Sequence, residues 1–283
     1  MLVSGDALLY QPLAVCQRSQ PGRDPSFDGV IWESEVTWEA AFSEVVDSGQ
    51  LSPRALAERF NLANPRVAEA PDLAPVATPA RGDIPDRDLQ ATRNQIDLSR
   101  YYNASLRDPW HSNMKGNSLA ELPAGLQVLD GTTFDVRGIV QISSSQLRTA
   151  DMTFPHQITG IHVKQKAKRL HFLHATGYLD EEGANLGQYV IHYSSGQQET
   201  LPIIYGVTVR DWWFYPDTPK EATGSRLAWT GKNEAASNWN PPLSLRLYKT
   251  TWKNPNPDAE IASIDLVSGE KASAPFLIAI TAE

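Results

Sequence analysis

From Ile96 onward the chain is written in short apolar segments separated by turn residues, and most of the segments repeat with a period of two. In "TTFDVRGIVQIS" (132–143) Phe134 and Val136 alternate with Thr133 and Asp135 before the segment runs on apolar. In "ITGIHVKQK" (158–166) Ile161 and Val163 alternate with His162 and Lys164. "KRLHFLHATGY" (168–178) sets Leu170, Phe172 and His174 on one face and His171, Leu173 and Ala175 on the other. Successive strand side chains point to opposite faces, so these patterns predict strands. "GQYVIHYSSGQQETLPIIYG" (187–206) reads as a hairpin, two strands about the turn "SSGQ". "LSLRLYKTTW", "IASIDLVS" and "PFLIAITAE" complete a set of about eight strands with almost no helical period between them. The predicted fold class is mainly β, an antiparallel sandwich of the jelly-roll kind, with Leu170, Phe172, Ile191, Ile203, Leu247, Ile264 and Ile278 buried. Alternating βα units are missing from the pattern, which argues against a parallel sheet.

The first part of the chain has a different texture. "VTWEAAFSEVVDSG" places Trp38, Ala41, Phe42 and Val45 at helical spacing and stops at Gly49. "LSPRALAERFNLANP" offers Ser52 as N-cap, Pro53 at the first helical position and a Leu56–Phe60 stripe. From Ala68 to Gln90 the chain is rich in Pro, Ala and Asp without apolar period, the composition of an extended linker. The expected organisation is an arm with two short helices (1–67), a Pro/Ala-rich linker (68–94) and a sandwich (95–283). Two such helices are too little for a domain, so the arm is expected to dock on the main body, a partner protein or a sister copy through residues 1–90.

Composition narrows the function classes. A net charge of −8 lacks the basic face that phosphate binding requires, so no nucleic-acid partner is expected. No apolar run reaches membrane-spanning length. The single cysteine, Cys16, allows no intrachain disulfide and no Cys-rich metal site. The first twenty residues lack both the basic start and the small-residue exit of a signal peptide, since Asp6 interrupts the apolar run and Val15 precedes the cysteine. The tripeptide Arg81–Asp83 and the sequon at Asn103 are short enough to arise by chance.

The ordered series "IHVKQKAKRLHFLHATGYLDEEGANLGQYVIHYSSGQQETLPIIYGVTVRDWW", "LAWTG", "LYKTTWKNPNPDAEIASIDLVS" and "APFLIAIT" resembles a β-sandwich module of bacterial proteins in the broad galactose-binding-domain-like group. "LPAGLQVLDGTTFDVRGIVQI" is similar to the first strands of such modules, and the resemblance spans about residues 95–283. It implies a mostly non-catalytic module, often found beside carbohydrate-active domains, that binds glycans or holds neighbouring domains. It also implies an extracytoplasmic setting, while the sequence itself leaves the compartment open. No binding residue transfers from it, because the group has no universally placed site.

Candidate chemistry concentrates in "VRDWWFYPD". Indole and phenol rings stack on the apolar face of a pyranose, so Trp212, Trp213 and Tyr215, with Arg210 and Asp211 for the hydroxyls, form a candidate glycan platform. The competing reading is that the rings pack a long loop onto the sandwich. In extended chain the two tryptophans would point to opposite sides, one into the core and one outward. Trp229 and Trp252 sit in apolar–polar alternation and are expected inside. "LDGTT" and "LDEEGAN" supply oxygen ligands, making Asp130 and Asp180 candidate members of a structural Ca²⁺ site, with a tight turn as the alternative for each. His171 and His174 fall on opposite faces, and His162 and His192 meet only if the strand register brings them together. The chain lacks G-x-S-x-G, Walker, H-E-x-x-H and dinucleotide motifs; the one enzyme class left open is a glycosidase, whose carboxylates converge only in three dimensions. The expected function is a non-catalytic scaffold or accessory subunit held to a partner protein or sister copy by its arm. The alternative is a carbohydrate-binding module using the loop at 210–215.

Overall fold

The computed structural model describes residues 84–112 and 114–283. The helices expected in the arm, most of the linker, Cys16 and the Arg81–Asp83 tripeptide lie outside the described residues.

The described chain is mainly β, and the strands of every sheet pair antiparallel. A seven-stranded sheet runs in the order β1 (Ala104–Ser105), β4 (Gly138–Gln141), β13 (Ala274–Ala282), β6 (Arg169–Gly177), β11 (Ser244–Lys253), β10 (Arg226–Gly231), with the short β9 (Trp213–Phe214) also paired to β11. A four-stranded sheet runs β5 (Gln157–Gln165), β12 (Ile261–Ser268), β7 (Asn185–Tyr193), β8 (Gln198–Ile204). A separate hairpin joins β2 (Gly125–Leu129) to β3 (Thr132–Val136). The β7–β8 hairpin turns where the sequence predicted, with Gly196 at φ 87°. Two helical turns, α1 (Ser145–Thr149) and α2 (Glu234–Ser237), are capped by Ser144 and Asn233.

The two large sheets face each other across one core. Leu170 and Phe172 of β6, Val140 of β4 and Leu277 and Ile280 of β13 meet Ile161, Tyr189, Ile191, Ile203, Ile264 and Leu266 from the four-stranded sheet. The seven-stranded sheet has a second apolar face. Leu173 and Ala175 of β6, Leu245 and Leu247 of β11, and Phe276 and Ile278 of β13 point away from the first core into another. Among the described residues the cover is made largely of loop segments carrying Trp110, Leu119, Leu122, Phe154 and Trp212, with Leu147 of α1, Trp213 of β9, and Phe134 and Val136 of the small two-stranded β2–β3 sheet. All seven side chains expected to be buried are buried.

Both cores contain a histidine. His174 lies between the sheets, 3.0 Å from the Tyr189 hydroxyl and 2.6 Å from the Thr250 hydroxyl. His111 lies in the outer core, its Nε2 2.6 Å from the side-chain carbonyl of Gln141, which also accepts from Trp110 Nε1. The imidazole of His111 comes so close to β6 that a Cβ on Gly177 would sit 2.2 Å from it, so this position requires glycine.

The sheet edges are interrupted. On β5, Gly160 and Lys164 take positive φ; β8 carries Pro202; β10 is bulged between Leu227 and Trp229; β1 has two residues. Each device breaks the row of unpaired amides and carbonyls that another strand could join.

Residues 84–94, linker-like in composition, pack on the sandwich. Ile84 touches the inter-sheet core. Arg87 Nη1 reaches the carboxylates of Asp135 (3.3 Å) and Asp97 (3.5 Å), and its Nη2 donates to the carbonyls of Thr92 (2.9 Å) and Gln95 (2.5 Å). Asn94 and Ile96 then pair with Ala282 and Ile280 of β13. A chain beginning at Ile84 is therefore expected to melt cooperatively and as stably as the full chain. Deletion through Asn94 removes Arg87 from the buried Asp135 and is expected to cost about 1–3 kcal/mol, read by urea denaturation.

Candidate functional site

Segment 210–215 is anchored at the end of β6. Trp212 donates its amide to the Thr176 carbonyl (2.8 Å) and Thr176 donates to the Arg210 carbonyl (3.3 Å). This lays Trp212 into the outer core, 2% exposed, with ring centroids 4.8 Å from Trp110, 5.7 Å from His111 and 6.2 Å from Phe276.

Trp213 is also buried, at 6% exposed, contrary to the expectation that adjacent rings would divide between core and surface. Two features account for this. The Asp211 carboxylate accepts the Trp213 amide (3.1 Å) and bends the chain, so both rings join one cluster, 6.4 Å apart. The loop after α2 then lays Trp239 edge-on against Trp213 at 5.6 Å, while Trp213 Nε1 donates to Asn117 (3.1 Å). Tyr215 is half-buried and tilts against Trp213 at 6.4 Å. Trp252 is 9% exposed, and Trp229 is half-buried with its ring folded over Gly231.

The polar neighbours are engaged inside the protein. Arg210, 4% exposed, forks onto Glu182 (Nη2–Oε2 3.0 Å) and donates Nε to the Glu221 carbonyl (2.7 Å). Asp211 is 3% exposed, and its carboxyl group accepts only the Trp213 amide among the described residues. Burial pushes its carboxyl up to about 7, against the Trp213 hydrogen bond and the positive charge of Arg246.

The two candidate calcium ligands have other partners. Asp130 sits at φ 42° in the β2–β3 turn beside Gly131, and its carboxylate meets Arg226 Nε (3.0 Å) and Lys249 Nζ (2.8 Å). A metal ion there would have to displace one of these cations. Asp180 accepts the amides of Glu181 and Ser273, each at 3.0 Å, and closes a turn. Among the described residues no three His, Cys, Asp or Glu side chains gather as a metal would need. The register does set His162 and His192 on either side of Ser263, where His192 pairs with Asp265 at 2.9 Å. Asn103 is buried and bonded in both directions to the Gln141 backbone (2.8 Å each), which closes the sequon to modification.

The surface feature nearest this loop is a groove of 390 Å³ at its outer end. Phe214, Pro216, Pro242 and Leu243 give it apolar walls, and Ser237, Ser244 and Lys232 add polar groups. Trp239 stands in the loop between Ser237 and Pro242, 46% exposed. That loop is held in place by Asn233, whose Oδ1 caps α2 through Ala236 and whose Nδ2 reaches the Ser118 carbonyl (3.1 Å), and by the Leu243 amide on Ala236 (2.9 Å). Trp239 was not singled out from the sequence. Its signal is a tryptophan inside "SNWNPPL", a stretch of turn residues with no apolar period to draw it inward. The groove suits a ligand with a flat apolar face and hydroxyl or acidic groups at its rim. No protein-family model matches the chain, and no curated protein matches it.

Three buried titrating groups near this loop and between the sheets govern pH response. Burial draws His111 from 6.5 down to about 4, and His174 to about 3. Both bind a proton more weakly folded than unfolded. Their contribution is complete above the unfolded value and is lost as pH falls from about 6.5 toward those folded values, on the order of 3 kcal/mol for His111 and 5 kcal/mol for His174. Asp211 acts in the opposite sense. Its folded value is raised from 3.8, so its contribution is present in acid and lost as pH rises toward about 7. In urea titrations across this range, His174→Gln is expected to shrink the loss of stability on acidification, and Asp211→Asn to enlarge it.

Proposed function

We propose that the protein is a non-catalytic binding module on a jelly-roll sandwich of the galactose-binding-like kind, and that its groove beside Phe214 takes a carbohydrate. The observation that carries this reading is Trp239, an indole left 46% exposed in the loop between the groove-lining residues Ser237 and Pro242, while Trp212 and Trp213 are buried. Aromatic rings with a polar handle are suited to surfaces where one face meets ligand and the rim stays wet. A sugar ring offers such a surface its C–H face, with Ser237, Ser244 and Lys232 placed for its oxygens. The platform thus lies further out than residues 210–213, and of that loop Phe214 borders the groove. Retention on insoluble polysaccharides, read beside thermal melts, tests this. Trp239→Ala and Phe214→Ala are expected to lose retention, with Trp239→Ala lowering stability by only about 0.5–1.5 kcal/mol through the lost edge contact with Trp213. Trp212→Ala is expected to destabilise by about 3–5 kcal/mol through the cavity it leaves. Retention unchanged in both groove variants would remove the carbohydrate reading.

A second reading, as scaffold or accessory subunit, is favoured by the Arg87 clamp. It fixes residues 84–94 to the sandwich, which gives the chain before them a firm point of attachment. In this reading the arm fastens to a partner protein or a sister copy. Light scattering of the full chain and of a chain starting at Ile84, each with cell extract fractions and alone, checks it. Loss of a larger assembly on deletion is the expected result, and identical masses throughout would count against an anchoring arm.

A further inference from the structure

Arg246 is 1% exposed on β11, and its donors go to uncharged oxygens. Nε donates to the Asp211 carbonyl (2.8 Å), Nη1 to the carbonyls of Pro219 (2.6 Å) and Lys220 (3.5 Å), and Nη2 lies 3.4 Å from the Thr218 hydroxyl. Tyr248, next but one on the strand, donates its hydroxyl to the Lys220 carbonyl (2.8 Å). These two side chains hold residues 218–220 against the sheet, and Pro216 at the start of the same loop is a wall of the groove.

Next to that guanidinium lies a buried carboxyl without an ion pair among the described residues. Asp211 takes one hydrogen bond, from Trp213, and Arg246 meets its backbone carbonyl rather than its carboxyl group. The other groups that face it are Tyr178 after β6, Tyr205 after β8 and Tyr215 on its own loop. Arg210, the adjacent cation, is occupied by Glu182. A buried acid in such surroundings keeps its proton, because burial strips the ionised carboxylate of water and Arg246, engaged on the loop carbonyls, offsets this only in part. The two forms exchange near neutrality, about 7.

We propose that Asp211 and Arg246 form a proton-operated latch on residues 216–220. With the carboxyl protonated, the guanidinium stays on the loop carbonyls. Once the proton passes to solvent, the new carboxylate competes for the same guanidinium, and a charge-assisted pair is the stronger of the two. Arg246 then turns from Pro219 and Lys220 toward Asp211, the loop keeps only the Tyr248 bond to Lys220, and the wall of the groove at Pro216 is loosened. The latch is independent of what the groove binds.

Hydrogen exchange of the full chain between about pH 6 and about pH 8.5, corrected for the intrinsic pH dependence of exchange, tests it. Protection of peptides covering 216–221 is expected to fall about tenfold as pH rises through neutrality, while β6, β11 and β13 keep theirs. Asp211→Asn, which cannot ionise, is expected to hold the acidic-side protection at every pH. A flat profile in the native chain, or the same fall in Asp211→Asn, overturns the latch. Should Asp211→Asn fail to fold, the native profile decides: a fall confined to 216–221 supports the proposal and a flat or chain-wide change sinks it.

Discussion

A sheet that is apolar on both faces needs two covers, and the architecture of this protein follows from that requirement. Strands β6, β11 and β13 direct large aliphatic and aromatic side chains to both sides, so neither face can meet water. The four-stranded sheet covers one face by the usual stacking of pleated layers. The other face is covered mostly by loops, with the β2–β3 hairpin and α1 among them, and the loops must exclude water while finding partners for their own backbone groups.

That second task explains the chemistry of the outer layer. Tryptophan covers much area and brings its own N–H donor, and two of these donors are placed inside the protein: Trp110 on Gln141 and Trp213 on Asn117. Gln141, buried on β4, accepts from Trp110 and His111 and donates to the Ile142 and Pro275 carbonyls. Charged residues do similar service. Arg246 ties down a loop through its carbonyls, and Lys249 and Arg226 hold the β2–β3 turn through Asp130. Aromatic residues are therefore abundant in loops of this chain because the loops act as a packing layer. Trp239, at the margin of that layer, is the most exposed of its rings among the described residues.

The sandwich was legible in the sequence because strand alternation is a local property. β6 shows this best: its two sets of side chains, read off as two faces, are those that enter the two cores. The β7–β8 hairpin was equally plain from its turn. The site was far less so, because its burial depends on residues distant in sequence. Trp213 is covered through Asn117 and Trp239, and the carboxylate of Asp130 is engaged by Arg226 and Lys249, some hundred positions away. Composition likewise assigned residues 84–94 to a linker, since nothing local reveals that Arg87 has Asp135 waiting for it across 48 positions.

The backbone pairing of Asn94 and Ile96 with Ala282 and Ile280 brings the two ends of the described body side by side. Tension applied between residues 84 and 283 would therefore fall first on the Arg87 clamp and this short seam, opened one bond at a time, rather than on the strands of either core sheared together. Such a body, strung between other segments, adds almost nothing to the contour between them while it stays folded. Once the seam parts it becomes a reserve of slack, so that it resembles a knot tied in a cord more than a link in a chain.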